Sequence, residues 1–116
     1  MSFKTEVKFV QGLNEEITFH VGKSAAGNFE IIDNADENDL WFHIDNESSA
    51  HVVASIPENM DRKKLKYIVK QGAILCKQNS RFKKVPTDVI YTKIKNIEKT
   101  SIVGMVRVTD GKIVRI

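Results

Sequence analysis

The sequence predicts an α+β fold, a largely antiparallel sheet with one main amphipathic helix. Two observations carry this prediction. Segments near both ends of the chain alternate apolar and polar residues with a period of two, which is typical of half-buried strands. Between them, residues 65–76 space their apolar side chains three and four positions apart, which is typical of one helix face. A chain of 116 residues suffices for one core, so we expect a single domain over residues 1–116.

The first third of the chain predicts a hairpin followed by a loop. Residues 3–9 and 17–21 alternate with a period of two, and residues 11–15 between them contain the glycine and asparagine typical of a turn. Residues 22–28 are mostly small and are predicted to form a loop. Residues 29–34 form either a short helix or a strand, because periodicity does not decide between the two in so short a segment.

Further strands are predicted in the middle and at the end of the chain. Residues 40–45 and 51–56 read as two strands joined by a polar turn, and residues 88–92 as a third. Residues 103–108 and 113–116 flank an Asp-Gly pair, which is a strong short-range signal for a hairpin. We therefore expect these last two segments to pair with each other.

The main helix is predicted between Pro57 and the strand at residues 88–92. Asn59 or Asp61 supplies a side chain that could cap its first turn, and Asn79-Ser80 ends the periodic pattern. The face opposite the apolar stripe is predicted to be cationic and to point into solvent. It carries Arg62, Lys63, Lys66, Lys70 and Lys77.

Charge is divided along the chain, although the formal net charge is only +3. Residues 1–61 hold three lysines against twelve carboxylates, a net charge of −9. Residues 62–99 hold twelve lysines and arginines against two carboxylates, a net charge of +10. A basic half of this kind indicates a polyanionic partner.

Composition excludes several classes of protein. The longest stretch without a charged side chain is the ten residues 48–57, whereas a membrane-spanning helix needs about 20. We therefore expect a soluble globular protein without a membrane span. The charged opening of the chain does not fit a secretory signal, and a single cysteine, Cys76, fits a reducing compartment. We expect a cytoplasmic location.

The strand at residues 40–45 sends two aromatic side chains to one face. Alternation puts Trp41 and His43 opposite the apolar face, and pairing back across the turn sets His43 against His51 and Trp41 against Val53. An indole beside two imidazoles is a platform on which a nucleobase or a sugar could stack. The alternative is that a helix or loop covers this face and that Trp41 is a buried anchor with its N–H satisfied.

Metal and nucleophile chemistry fit the same residues poorly. The histidines lack the three or four closely spaced ligands of a zinc site, so we expect neither a metal nor another cofactor. Ser49, His51 and Asp45 could be written as a triad, but no nucleophile elbow accompanies them. We expect Ser48 and Ser49 to bond backbone groups in the turn instead.

A second candidate site is the basic loop, residues 77–84. Its cations could neutralise phosphates, its amides could contact base edges and Phe82 could stack on a base. The alternative is a solvated loop whose Phe82 packs onto the domain. The cationic helix face before the loop and the lysines after it favour anion binding.

Residues 39–43 and 48–52, Asp-Leu-Trp-Phe-His and Ser-Ser-Ala-His-Val, resemble the NFACT-R domain. This is the RNA-binding domain of ribosome-quality-control factors of the NEMF and RqcH type, and it also occurs in small stand-alone proteins. Weaker matches are the glycine-basic-asparagine segment at residues 22–28, Tyr-Thr within residues 89–92 and the glycine in residues 104–106. The resemblance implies binding to ribosomal or transfer RNA. The motif positions that carry over are Trp41, Phe42, His43, Ser49, His51, Lys23 and Asn28.

Three hypotheses follow from the two sites and the resemblance. The first is a non-catalytic RNA-binding module, tied to translation or ribosome quality control, with the ribosome as a partner and DNA binding left open. The second is a nucleic-acid-processing enzyme that uses His43 and His51 as acid and base. The third is a protein-interaction adaptor. We favour the first, and its RNA-binding residues are Trp41, His43, Ser49, His51, Lys23, Asn28, Lys77, Asn79, Arg81, Phe82, Lys83, Lys84 and Lys93.

Overall fold

The computed structural model describes residues 2–116 and contains strands in two antiparallel sheets together with two α-helices. In chain order the elements are β1 (Phe3–Val10), β2 (Glu15–Gly22), α1 (Ala25–Asp33), β3 (Leu40–Ile44), β4 (Val52–Ala54), α2 (Leu65–Gln78), β5 (Asp88–Lys93), β6 (Ile97–Lys99), β7 (Val106–Val108) and β8 (Lys112–Arg115). The larger sheet has the strand order β1-β2-β4-β3-β5-β8, and β6 and β7 form a separate two-stranded ribbon. The predicted α+β class, with a largely antiparallel sheet and one main helix, is confirmed.

The apolar stripe of α2 packs on one face of the larger sheet. Leu40, Phe42 and Ile44 of β3 point to this face and are buried against Ile68 and Cys76 of the helix. The alternation of β3 therefore decides which of its side chains lie under α2, as the period-two pattern predicts. The resulting cluster is the main core of the protein.

The opposite face of the sheet is covered by α1 and by the β6–β7 ribbon. Trp41 and Val53 point to this face and form a second, smaller core with Ile31 and Ile32 of α1. Side chains from the ribbon, among them Val106, pack against the same cluster. The sheet is therefore sandwiched between α2 on one side and α1 with the ribbon on the other.

Helix α1 begins inside the segment that the sequence predicted to be a loop. Ser24 caps it, because its Oγ accepts a hydrogen bond from the N–H of Gly27 at 3.0 Å. The prediction of a loop over residues 22–28 is wrong from Ala25 onward, and within residues 29–34, left open between helix and strand, the helix continues to Asp33 with Asn34 as its C-cap. A helix of nine residues leaves too short a pattern for periodicity to reveal.

The bounds of α2 agree with the predicted caps. Asp61 accepts a hydrogen bond from the N–H of Lys63 at 2.9 Å and caps a 3₁₀ turn, Arg62–Lys64, that leads into the helix. At the other end, the Nδ2 of Asn79 donates to the carbonyl of Leu75 at 2.8 Å. A side chain of the predicted type thus satisfies the C-terminal end of α2, whereas Lys64 at its N-terminal end makes no capping bond and Asp61 caps the 3₁₀ turn instead.

The predicted C-terminal hairpin is wrong. Strand β7 pairs with β6 in the ribbon, whereas β8 pairs with β5 at the edge of the larger sheet. The turn between them carries the chain from one sheet to the other. The hydroxyl of Thr92 donates to the carbonyls of Thr109 and Asp110 at 3.2 and 3.3 Å, and these bonds attach the turn between β7 and β8 to β5. The Asp-Gly pair does mark a turn, but long-range pairing decides which strands it joins.

Neither helix in the described residues 2–116 has the length and apolar character required to cross a membrane.

We predict that Gly72→Ala destabilises the protein, although the same change stabilises an isolated helix by about 1 kcal/mol. A Cβ at Gly72 would meet the ring of Phe42, so the added methyl group would overpack the contact between α2 and β3. Overpacking of a core costs about 1–3 kcal/mol. Urea unfolding measures the difference, with the exposed Lys70→Ala on the same helix as control. A midpoint for Gly72→Ala at or above that of the wild type would contradict this packing.

Candidate functional site

The aromatic cluster predicted from the sequence forms, but it is not an open platform. The ring centroids of Trp41 and His43 lie 5.6 Å apart with an interplanar angle of 4°, so the two rings are stacked. His51 stands edge-on to both, with centroids 5.3 Å from the indole and 5.0 Å from the imidazole of His43. The predicted facing of Trp41 with Val53 is confirmed by the strand register.

The expectation that Trp41 presents a stacking surface to solvent is wrong. Its side chain is buried, with 2% of its surface exposed, and His51 is buried to the same extent. The alternative of a covered tryptophan with a satisfied N–H is confirmed, because the Nε1 of Trp41 donates to the Nδ1 of His51 at 3.1 Å. His43 is half-buried and is the exposed member of the cluster.

Hydrogen bonds fix the tautomer of each histidine. An indole N–H can only donate, so the Nδ1 of His51 carries the lone pair and its proton lies on Nε2. The Nδ1 of His43 contacts the carbonyl of Ile44 at 2.7 Å, and a carbonyl can only accept, so this ring carries its proton on Nδ1. The neutral pair therefore has one free donor, on His51, and one free acceptor, on His43.

Burial keeps both rings neutral. Desolvation, together with the neighbouring His43, lowers the pKa of His51 to about 3. Desolvation also lowers the pKa of His43, against the opposing effects of the Ile44 carbonyl and the Asp45 carboxylate. At neutral pH the cluster thus offers hydrogen-bonding groups without charge.

Asn28 and Ser49 hold the backbone around the cluster. The Oδ1 of Asn28, on the first turns of α1, accepts from the N–H of His51 at 3.1 Å. The Oγ of Ser49 accepts from the N–H of Ile44 at 3.1 Å and donates to the carbonyl of Ala50 at 3.2 Å. The predicted bonding of Ser49 to the backbone is confirmed, and its hydroxyl makes no triad with His51.

A cleft of about 760 Å³ opens above this cluster. Its floor is formed by Trp41, His43 and His51, and Asn28 lies at one side. The facing wall is the tip of the β6–β7 ribbon, residues 102–105. Three apolar side chains of this tip are more than half exposed: Ile102, Val103 and Met105.

The tip of the ribbon is held in a fixed position. The N–H and the hydroxyl of Thr100 both donate to the carbonyl of Met105, at 3.0 and 2.9 Å. Gly104 turns the chain with a φ of +85°, and a Cβ at this position would meet Ala25 at the start of α1. The apolar wall therefore rests against the helix that supplies Asn28.

The electrostatics of the cleft differ from those of its rim. The charged side chains that line it are the carboxylates of Asp45 and Glu47, and no described lysine or arginine does so. At the rim, the Nη2 of Arg81 pairs with the Oε1 of Glu47 at 2.7 Å. This ion pair brings the basic loop, residues 77–84, to the edge of the cleft.

Within the basic loop, the predicted residues have different positions. Lys83 and Lys84 are exposed, and neither takes part in an ion pair within residues 2–116. Phe82 packs against the main core, which is the alternative that the sequence left open, and the guanidinium of Arg81 lies 5.1 Å from its ring centroid. The Nζ of Lys77 donates to the carbonyl of Ile116 at 3.0 Å. The side-chain amide of Asn79 donates to the carbonyl of Leu75 and caps the end of α2.

Two groups of predicted cations lie away from the cleft. Helix α2 packs on the face of the sheet opposite to Trp41, so Lys66 and Lys70 on its outer side point away from the cleft. Lys93 pairs with Leu40, whereas the basic loop lies near the Ile44 end of β3, about 14 Å along the strand. Lys93 therefore lies apart from the basic loop, and its role as a phosphate contact stays a prediction. It lines a separate hollow among acidic side chains such as Glu37 and Glu58.

Lys23 and Asn28 do not lie in one loop as expected. Lys23 is exposed just before the cap of α1, while Asn28 is buried on the helix itself. Sequence reasoning also missed residues 102–105 as a wall of the cleft and Glu47 as the partner of Arg81. The signal for the former was Thr100-Ser101 and Gly104 around an apolar run, which is the pattern of a ribbon tip.

No group of three metal-ligating side chains converges in the part of the chain that the structure describes. Cys76 lies on the α2 face of the sheet, and burial raises the pKa of its thiol to about 12. Cys76 is therefore a buried, protonated thiol and does not have the thiolate character of a nucleophile.

The fold and this site define a small α+β domain with an aromatic cleft, in which the histidines are neutral and two carboxylates lie, and with a cationic rim. Comparison with known proteins identifies the family. Residues 7–114 match the family model described as the NFACT protein RNA binding domain, nearly the whole chain. The chain therefore belongs to the NFACT RNA-binding-domain family, which supports a role in RNA binding.

The chain is also similar to longer proteins. It is 32% identical to coiled-coil domain-containing protein 25 from Bos taurus over 116 residues and to that from Mus musculus over 113 residues. Each alignment covers 85% of this chain and 51% of the relative, so the chain spans about half the length of the curated relatives it matches. A solved structure, the C-terminal part of the fibronectin/fibrinogen-binding protein from Streptococcus suis, superposes with a TM-score of 0.79 at 21% identity. It covers 97% of this chain and 45% of that one and shows the same fold.

The pKa of His51 predicts how stability depends on pH. In the folded protein this pKa is lowered from 6.5 to about 3, so below pH 6.5 the unfolded chain binds a proton that the folded protein does not. We expect stability to fall as the pH drops from 6.5 toward 3, by up to about 1.4 kcal/mol per pH unit from this group.

Urea unfolding at several pH values measures this slope. His51→Asn keeps an acceptor near the indole N–H but does not titrate, so the variant should lack this part of the slope. An NMR titration in which the His51 ring protonates near pH 6.5 would contradict the buried neutral state.

Proposed function

We propose that this protein is a non-catalytic RNA-binding module that acts in translation or ribosome quality control and contacts ribosomal or transfer RNA. The observation that carries the proposal is the Arg81–Glu47 ion pair, which sets the basic loop at the rim of the aromatic cleft. Phosphates bind at the exposed cations of the loop, and the neutral cleft takes the less charged parts of the nucleic acid. The family and the resemblance of residues 39–43 and 48–52 to ribosome-quality-control factors support RNA as the partner.

Lys83 and Lys84 are the main phosphate contacts in this proposal. Both are exposed and free of ion pairs within residues 2–116, so no carboxylate competes with a phosphate for them. Arg81 contributes either by leaving its ion pair with Glu47 to bind a phosphate or by binding the carboxylate and the phosphate at the same time. Lys77, whose Nζ already bonds a backbone carbonyl, contributes less.

Two features support a binding role over acid–base catalysis. The Nδ1 of His51 is committed as the acceptor for Trp41, so the neutral ring cannot take up a proton there without losing that bond. Its pKa of about 3 is far from the value near neutrality that suits a general acid or base. We propose the cytoplasm as the place of action, in keeping with a single cysteine that is buried and unpaired.

Charge reversal at the loop tests the proposal. We predict that Lys83→Glu with Lys84→Glu lowers affinity for structured RNA by roughly tenfold or more and reduces the slope of log affinity against log salt by about 1 to 2. The matched control is Lys63→Glu with Lys64→Glu. It makes the same change in net charge at the other end of α2, about 21 Å away along the helix axis.

Fluorescence anisotropy with labelled transfer RNA and a ribosomal RNA fragment, at three salt concentrations, gives both quantities. Equal losses for the two double variants would mean that net charge alone drives binding and would overturn the proposed position. Competition with DNA of the same sequence decides the preference for RNA. Incubation with each RNA followed by gel analysis tests the enzyme alternative. That alternative requires RNA cleavage by the wild type that disappears in His43→Ala.

A further inference from the structure

We propose that the cleft between the His43–His51 pair and the ribbon tip, residues 102–105, is a binding site for one unpaired nucleobase with its ribose. The inference rests on the proposed function and deepens it, since it assigns separate parts of the surface to base and phosphate. Four properties of the cleft carry it: an open aromatic stack, an opposing apolar wall, free hydrogen-bonding groups on its floor and a charge unfavourable to phosphate.

The stack of Trp41 and His43 is incomplete on the cleft side. The indole and the imidazole stack with an interplanar angle of 4°, the indole is buried, and His43 is only half-buried. The outer face of the imidazole is therefore the free end of a stack. A flat aromatic base continues such a stack, and base–aromatic stacking is tolerant of sequence because every base has a π-face.

The facing wall has the chemistry to close over a base. Ile102, Val103 and Met105 are 59%, 57% and 53% exposed, an unusual degree of exposure for three large apolar side chains in one short segment. They are held at the tip of a rigid turn that rests on α1, and they line the same cleft as His43. A base inserted between the imidazole and this tip would cover apolar surface on both of its faces.

The floor of the cleft offers polar groups of fixed character. The Nε2 of His51 donates, the Nε2 of His43 accepts and the Nδ2 of Asn28 donates, since the other polar atom of each side chain is bonded to the protein. No fully buried side-chain nitrogen or oxygen in residues 2–116 lacks a partner, so these three unbonded atoms keep some accessible surface, and all three residues line the cleft. Base edges and the ribose 2′-hydroxyl present the matching donors and acceptors.

Charge and volume favour a nucleoside over a phosphate in the cleft. The charged lining residues are Asp45, whose carboxylate is in no ion pair within residues 2–116 and repels phosphate, and Glu47, which pairs with Arg81, while Arg81 and the lysines that follow it lie outside at the rim. A volume of about 760 Å³ lies within the range of small-ligand sites, roughly 300–1,000 Å³. The carboxylates would also suit a cationic peptide side chain, but Glu47 is already neutralised by Arg81, which favours the uncharged base.

Nucleoside titrations followed by NMR test the site without RNA. With the protein labelled at histidine, adenosine, guanosine, cytidine and uridine are each added, with ribose 5-phosphate as the control that lacks a base. We expect saturable shifts of the His43 and His51 ring signals with at least one nucleoside and none with ribose 5-phosphate. If neither histidine ring signal shifts with any of the four nucleosides, or if the signals shift only with a lysine- or arginine-rich peptide, the proposal is overturned.

An RNA hairpin with a single-nucleotide bulge links the site to RNA binding. Replacing the bulged nucleotide by an abasic one should weaken wild-type binding by roughly 5- to 150-fold, the range of one base stacked on an aromatic ring. His43→Ala should bind both RNAs with the same, weaker affinity. The matched control is His20→Ala, a half-buried histidine on the same sheet face outside the cleft, which should still discriminate between the RNAs.

The two proposals fail differently. If the abasic RNA binds as tightly as the intact one while affinity still depends on salt and on Lys83 and Lys84, the base site is wrong and the proposed function stands. If neither RNA binds, the proposed function itself is wrong. The nucleoside titration uses the unaltered protein, so a folding defect in a variant does not affect its result.

Discussion

The site depends on one buried hydrogen bond, from the Nε1 of Trp41 to the Nδ1 of His51. It joins neighbouring strands β3 and β4 on the face that carries the cleft. Because an indole N–H can only donate, the bond keeps His51 neutral and places its proton on Nε2. Loss of either partner would leave a buried polar group unsatisfied, at a cost of about 1–3 kcal/mol. His43 stacks on the same indole, and its own ring is fixed by the carbonyl of Ile44, so the two histidines together set the polarity of the cleft floor.

The sheet separates the charges of the molecule. Helix α2, which holds three of the twelve cations of residues 62–99, packs on the face opposite to the cleft, and the loop that follows it reaches Glu47 at the rim. The rim of the cleft thus has a local excess of positive charge, whereas the interior of the cleft is acidic and aromatic. Phosphate and base have opposite electrostatic requirements, and the two regions meet them separately. The formal net charge of +3 therefore describes neither surface.

Local patterns in the sequence predict much of this arrangement, and long-range pairing accounts for the rest. The alternation in residues 40–45 predicts both faces of β3 and its register with β4, because one face must be buried. The capping residues Asp61 and Asn79 can also be predicted from the sequence, because they bond backbone groups only a few residues away. The sequence around residues 100–105 carries the pattern of a ribbon tip, but the position of the ribbon over Trp41 cannot be predicted, because the Asp-Gly signal specifies a turn and not the strands that pair beside it. Which face α2 covers, and hence where Lys66 and Lys70 point, depends on a crossover that no local pattern encodes.

The central claim is that RNA contacts the basic loop and the cleft together, on one side of the molecule. A map of backbone amide shifts, recorded on ¹⁵N-labelled protein as structured RNA is added, tests it most directly. The account predicts that perturbations concentrate in residues 43–51, 79–84 and 102–105 and spare Lys66, Lys70 and Lys93. Perturbations centred on the outer face of α2, with the cleft unchanged, would contradict it.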